Sequence, residues 1–128
     1  MSIEAGGAFF CNDEELTNDT QHLWVIVSDP VAYPDCVVVV NLSSSNSRLS
    51  DPACILKQGD HWFVRHPTFV YYRRAMVLTL QQLQAANIRH TTSVSQAVLA
   101  RIHDGASKTK FLPRHIKQHL IDQGIIPA

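Results

Sequence analysis

The first 20 residues of this 128-residue chain contain no lysine or arginine. A secretory signal needs a basic start, so the segment is not expected to be one. Long apolar runs are also missing: the run Val37–Val40 is far too short to span a bilayer. The three cysteines, Cys11, Cys36 and Cys54, are odd in number and show no C-x-x-C spacing. This argues against a disulfide framework or a zinc ribbon and for free thiols packed as small hydrophobes. The patterns G-x-x-x-x-G-K-[ST], G-x-G-x-x-G and G-x-S-x-G are absent as well, which sets aside nucleotide-binding loops and hydrolase elbows. The 45% apolar and 17% charged content is that of an ordinary globular protein. A single cytoplasmic domain over residues 1–128 is expected.

The net charge of zero conceals an asymmetry. Residues 1–20 carry five acids (Glu4, Asp13, Glu14, Glu15, Asp19) and no base, net −5. Residues 21–60 carry four acids and two bases, net −2, and residues 61–128 carry nine bases and two acids, net +7. A basic half of this kind suits a polyanionic partner, and a solvated helical surface accounts for it equally well.

Strand signals come first along the chain. "GGAFF" near the start reads as a strand, and "HLWVIVSDP" (22–30) is an apolar run ended by a turn-forming Asp-Pro. "CVVVVNLSS" (36–44) is β-branched and apolar on both faces, as a central strand is. After the loop formers of "SSSNSRLSDP" (43–52), "ACILK" reads as a short strand and "HWFV" as the start of another. Pro67 implies an edge or a bulge, and "TFVYYRRAMVL" continues as a long strand. Helical patterns follow. Thr79 and Gln82, then Ser93 and Gln96, have capping-box spacing. Val94, Ala97, Val98 and Ile102 share a helical face, with Gly105 as the expected stop. Pro113 and Gly124 bracket a last helix with an Ile116, Leu120, Ile121 stripe. The expected fold is α+β, mainly β, with a small curled antiparallel sheet over about 6–78 and helices over about 79–128.

The chemistry concentrates in "GDHWFVRHPTFVYYRRA" (59–75). On a straight strand His66, Thr68, Val70 and Tyr72 point one way, about 7 Å apart per step, and Pro67, Phe69, Tyr71 and Arg73 the other. An imidazole near neutrality gives and takes protons, and a hydroxyl holds a phosphate oxygen. Arg65, Arg73 and Arg74 can hold the rest of a phosphodiester, while aromatics stack on bases. His61 is five positions from His66, so only a bulge or turn brings the two together. His22 and Ser43 or Ser44 lie at strand ends, where function concentrates. For a metal, His115 and His119 are spaced i, i+4 but enclose Ile-Lys-Gln and not the H-E-x-x-H order. Cys54, His61 and His66 match no zinc spacing, and no cofactor or metal is expected. His66-Pro-Thr68 is a single His-x-Thr, where two-histidine phosphoesterases need two.

The succession "HLWVIVSDP", "VVVVNLSS", "GDHWFVRHPTFVYYRRA" resembles the PemK/MazF-like endoribonuclease toxins of toxin–antitoxin pairs. It looks most like a divergent branch with Gly59, Asp60, His61 and Phe63 in one signature and His66, Thr68, Val70, Tyr72 and Ala75 in a second. The resemblance covers about residues 6–78. It implies an SH3-like β-barrel that dimerises, binds a cognate antitoxin and cuts single-stranded RNA without a metal. Where the better-known toxins carry Arg-Pro after the first loop, this chain has His22-Leu23. On this reading His61 and His66 form an acid–base pair, with His22 as a further candidate. Thr68 and Ser43 hold the phosphate, Arg65, Arg73 and Arg74 supply charge, and Tyr72 orients a base or a histidine. The alternatives are a non-catalytic barrel that binds a protein or nucleic acid, and an accessory inhibitor acting through a protein interface.

Overall fold

The structure, a computed structural model, describes residues 3–11, 22–44 and 51–128. Asp13, Glu14, Glu15, Asp19, the side chain of Ser44 and most of the serine-rich loop lie outside that description.

Six antiparallel strands form one sheet in the order β4-β5-β3-β2-β1-β6, curled as a half-barrel. The strands are β1 (Ala8–Cys11), β2 (His22–Ile26), β3 (Cys36–Ser44), β4 (Ile55–Leu56), β5 (Thr68–Thr79) and β6 (Ile88–Thr91). The helices are α1 (Leu80–Ala85), α2 (Gln96–Lys108) and α3 (Arg114–Asp122). The expected α+β, mainly antiparallel architecture is what the chain adopts.

β3 sits centrally, and its β-branched run explains why. Val38, Val40 and Leu42 face a core shared with Val98 and Ile102 of α2 and Ile116 and Leu120 of α3. Val37 and Val39 face a second core with Phe9, Trp24 and Leu83. A strand apolar on one face only would leave one of these cores without its floor. Fully burying each such aliphatic side chain contributes about 1.5–3 kcal/mol.

β5 is interrupted. Asn41 pairs with Tyr71 but Val39 pairs with Met76, so Val40 alone opposes Tyr72–Ala75. This bulge reverses the strand's parity. Val70 and Tyr72 face the helix-covered core before it, and Ala75 does after it. The expectation of a straight strand with Tyr72 on an open reactive face is therefore corrected: that face lies beneath α2.

Several local signals behave as their chemistry dictates. Thr79 and Gln82 make both hydrogen bonds of a capping box at α1. Gly124, at φ +73°, follows the C-cap of α3, where its N–H donates to the Ile121 carbonyl. Other expectations fail. α2 starts at the N-cap Ser95, not Ser93, and runs through Gly105 to Lys108. Ser93 instead donates its hydroxyl to Glu4. β6 lies in the stretch expected to be helical and pairs with β1 from Ala8↔Thr91 to Cys11↔Ile88. "HWFV" is not a strand but part of the loop 57–67. Among the described residues no helix is long and apolar enough to cross a membrane.

Candidate functional site

The loop 57–67 is fastened at three points. Gly59, at φ +101°, supplies the left-handed residue of a turn in which Asp60 N–H donates to the Lys57 carbonyl. The Asp60 carboxylate accepts the Lys57 N–H at 2.8 Å and the Arg101 guanidinium at 2.8 Å. Partial burial alone would raise the Asp60 pKa. The Lys57 N–H and Arg101 outweigh it and hold the carboxyl below its ordinary value. The third fastening is His61, a buried residue. Its Nδ1 accepts the Phe63 N–H at 3.2 Å, so the proton sits on Nε2, which donates to the Thr92 carbonyl at 2.6 Å. Trp62 Nε1 adds a hydrogen bond to Thr91 Oγ1 at 2.8 Å. The Gly59-Asp60-His61 signature thus ties the loop to α2 and β6. Both ring nitrogens of His61, a residue expected in an acid–base pair, are engaged by backbone groups of the chain itself.

The fastened loop forms one wall of a cleft of about 470 Å³. From the loop come Trp62, Phe63, Arg65 and His66, and from strand ends His22, Leu42, Ser43 and Thr68. Five residues singled out from the sequence therefore meet here: His22, Ser43, Arg65, His66 and Thr68. The sheet register explains part of this. Trp24 pairs with Asn41, which two residues further brings His22 beside Ser43, and Ser43 pairs with Phe69 at the start of β5. His61 instead lines an adjoining cleft of about 490 Å³, and Trp62 and Arg65 line both.

The groups in the cleft differ in availability. His66 is exposed, with Nδ1 3.3 Å from the Pro67 carbonyl. Donation there places the proton on Nδ1 and leaves Nε2 as the basic nitrogen. Thr68 donates its hydroxyl to the His66 carbonyl at 2.9 Å, which fixes the backbone that carries the imidazole. Its proton is therefore engaged with that backbone. Ser43 is half-buried, and Arg65 is exposed and makes no ion pair among the described residues.

Three residues expected at the site lie elsewhere. Tyr72 is fully buried and donates its hydroxyl to the Ile102 carbonyl at 2.6 Å. Burial, then the neighbouring Cys54 and Asp51, push that hydroxyl far above its ordinary pKa. The Tyr72 ring packs in the core beneath α2 and not in the cleft. Arg73 and Arg74 occupy the β5 bulge. The Arg73 guanidinium lies 4.5 Å from the Phe111 ring centroid, and that of Arg74 lies 5.5 Å from the Tyr71 ring.

An aromatic platform that the strand pattern did not reveal borders the cleft. Trp62 is 56% and Phe63 44% exposed, large areas for such side chains. Phe63 packs edge-on against Phe10 at 4.9 Å, and the Arg89 guanidinium lies 5.4 Å from the Phe10 ring. The adjacent Trp-Phe pair was a signal in itself, because alternation would have buried one of the two. Elsewhere, burial raises the Cys54 thiol above its ordinary pKa despite Arg101, which disfavours a thiolate nucleophile. Among the described residues no group of three or more His, Cys, Asp or Glu is placed to hold a metal ion.

The cleft therefore offers an imidazole with a basic nitrogen, a second imidazole, a hydroxyl, an exposed guanidinium and exposed aromatic rings. No protein-family model matches the sequence, and no curated protein does. The fold is similar to that of a solved structure described as an endoribonuclease in complex with its cognate antitoxin from mycobacterial species. The TM-score is 0.56 and the identity 17%, over 87% of this chain and 95% of that one. At that identity the likeness is one of fold.

Proposed function

We propose that the chain is a toxin-type endoribonuclease that cuts single-stranded RNA by metal-independent transesterification in the His22–His66 cleft. The observation that carries this reading is the meeting of His22, Ser43, Arg65 and His66 around one cleft beside exposed aromatic rings. One imidazole takes the 2′-OH proton as the 2′ oxygen attacks phosphorus. The other gives a proton to the departing 5′ oxygen, and the products end in a 2′,3′-cyclic phosphate and a 5′-OH. His66 Nε2 suits the base, and His22 the acid. Ser43 and Arg65 steady the phosphorane charge. Thr68 and His61 position the backbone that carries these groups. Trp62 and Phe63 stack on flanking bases, a mode that tolerates any sequence.

A solved protein of similar fold was captured with its antitoxin. That and the PemK/MazF-like resemblance support a cognate antitoxin covering this cleft, and the resemblance supports a homodimer in the cytoplasm. The test is incubation of purified protein with single-stranded RNA in EDTA. Cyclic-phosphate ends, lost in His66→Ala, are expected. No cleavage by the wild type would overturn the reading. A second reading, RNA binding without turnover, draws on the engagement of both His61 nitrogens. It predicts salt-sensitive binding in the same samples and intact RNA.

A further inference from the structure

We infer that the corner between α2 and α3 is a second binding surface for single-stranded RNA, taking a base and phosphates of the strand whose other part enters the His66 cleft. The inference rests on the RNA reading above and extends it to a corner that includes residues 108–117, beyond the stretch covered by the family resemblance.

A separate cleft of about 400 Å³ lies at this corner, between residues 51–53 and 108–111. Phe111 is 40% exposed there, with the Arg73 guanidinium 4.5 Å from its ring centroid. The corner is held in place. The buried Asp51 carboxylate accepts the Thr109 hydroxyl and the Ala53 N–H, and Thr109 Oγ1 accepts the Phe111 N–H at 3.1 Å. Asp51 is thereby turned inward, and its charge is spent on its own loop. Lys108 shares its charge with Asp104, whereas Lys110, exposed beside Phe111, makes no ion pair among the described residues. Arg114 and Lys117 on α3 are likewise exposed and free of ion pairs among the described residues.

An exposed ring beside exposed cations is the combination that grips single strands: the ring stacks a base and the cations neutralise phosphates. The spacing fits one continuous ligand. Thr68 lines the first cleft and Arg73, five residues on in the same strand, borders the second, at most roughly 17 Å away because the bulge shortens the path, a span that a few linked nucleotides cover.

The experiment uses 2′-O-methyl oligouridylates, which lack the attacking hydroxyl, so binding is read without cleavage. Affinity of the full chain is measured by fluorescence anisotropy for a long oligomer and for a trinucleotide, over a salt series. In Lys110→Gln/Phe111→Ala the long oligomer is expected to bind about ten-fold more weakly, the stacking contribution of one base. Its salt slope is expected to fall by about 0.7 for each phosphate that the variant no longer neutralises. Trinucleotide affinity should not change. Unchanged long-oligomer binding overturns the inference, and so does an equal loss for both lengths or a wild type that prefers neither. If the double variant misfolds, Lys110→Glu keeps Phe111 on Arg73 and carries the same comparison. Failure of the nuclease reading shows separately, as intact ordinary RNA, and leaves this binding measurement standing.

Discussion

A Cβ placed on Gly105 would stand 2.4 Å from the Tyr72 hydroxyl and 2.8 Å from the Cys54 Cβ. α2 therefore approaches the sheet more closely here than any side chain permits. The Tyr72 hydroxyl uses that approach to reach the Ile102 carbonyl.

Gly105→Ala is expected to destabilise the fold by about 1–3 kcal/mol, because overpacking outweighs the helix propensity gained. Tyr72→Phe should cost about 1 kcal/mol, one buried hydrogen bond. The double variant should lose less than the sum, since removing the hydroxyl relieves part of the clash. Urea unfolding of the four proteins measures the coupling. RNA affinity should not change in Tyr72→Phe.

His61 and His66 are expected to separate into different roles. His61→Ala removes the tie to Thr92 and should lower stability by about 1–2 kcal/mol. His66→Ala should leave thermal unfolding unchanged while cleavage falls about 10²–10⁴-fold. Equal stability losses from both would contradict this division.

Asp60 gives a pH dependence with a definite sign. Its folded-state pKa lies below the ordinary value of 3.8, held there against burial by Lys57 N–H and Arg101. Its stabilisation is therefore fully present above that value and is lost as pH falls through the lower folded-state pKa. Asp60→Asn should cost about 1 kcal/mol at neutral pH, a modest figure because Arg101 is 43% exposed. The difference from wild type should vanish in strong acid. Urea midpoints across the acid range test it.

Trp62→Ala is expected to weaken single-stranded RNA binding by about 1–3 kcal/mol, the stacking of one base. Because Trp62 borders both adjoining clefts, the loss should be larger than for Phe63→Ala, which borders one. Anisotropy titrations with non-cleavable RNA compare the two.

The parts of this fold that depend on neighbouring residues were legible in the sequence. The β-branched run of β3 marks a strand buried on both faces, and Thr79 with Gln82 marks a helix start. β6 was not legible: Ile88–Thr91 is short and polar, and it is a strand because β1, nearly 80 residues earlier, offers it a partner. His66, in the loop before β5, and Thr68 line the cleft, but further along the strand the face of Val70 and Tyr72 is turned into the core. Nothing local reveals that α2 will cover that face. His22, Ser43, Arg65, His66 and Thr68, which line one cleft, were singled out because strand ends and a basic segment are visible in a sequence. The engagement of His61 was hidden, since Thr92 meets it from 31 residues away.

The sheet ends on strands of two and four residues, β4 and β6. A neighbouring molecule that tried to extend the ladder at the β6 margin would find few backbone groups to zip onto. Self-association across that margin should therefore be built from side chains, and surface substitutions should dissolve it without loosening any strand.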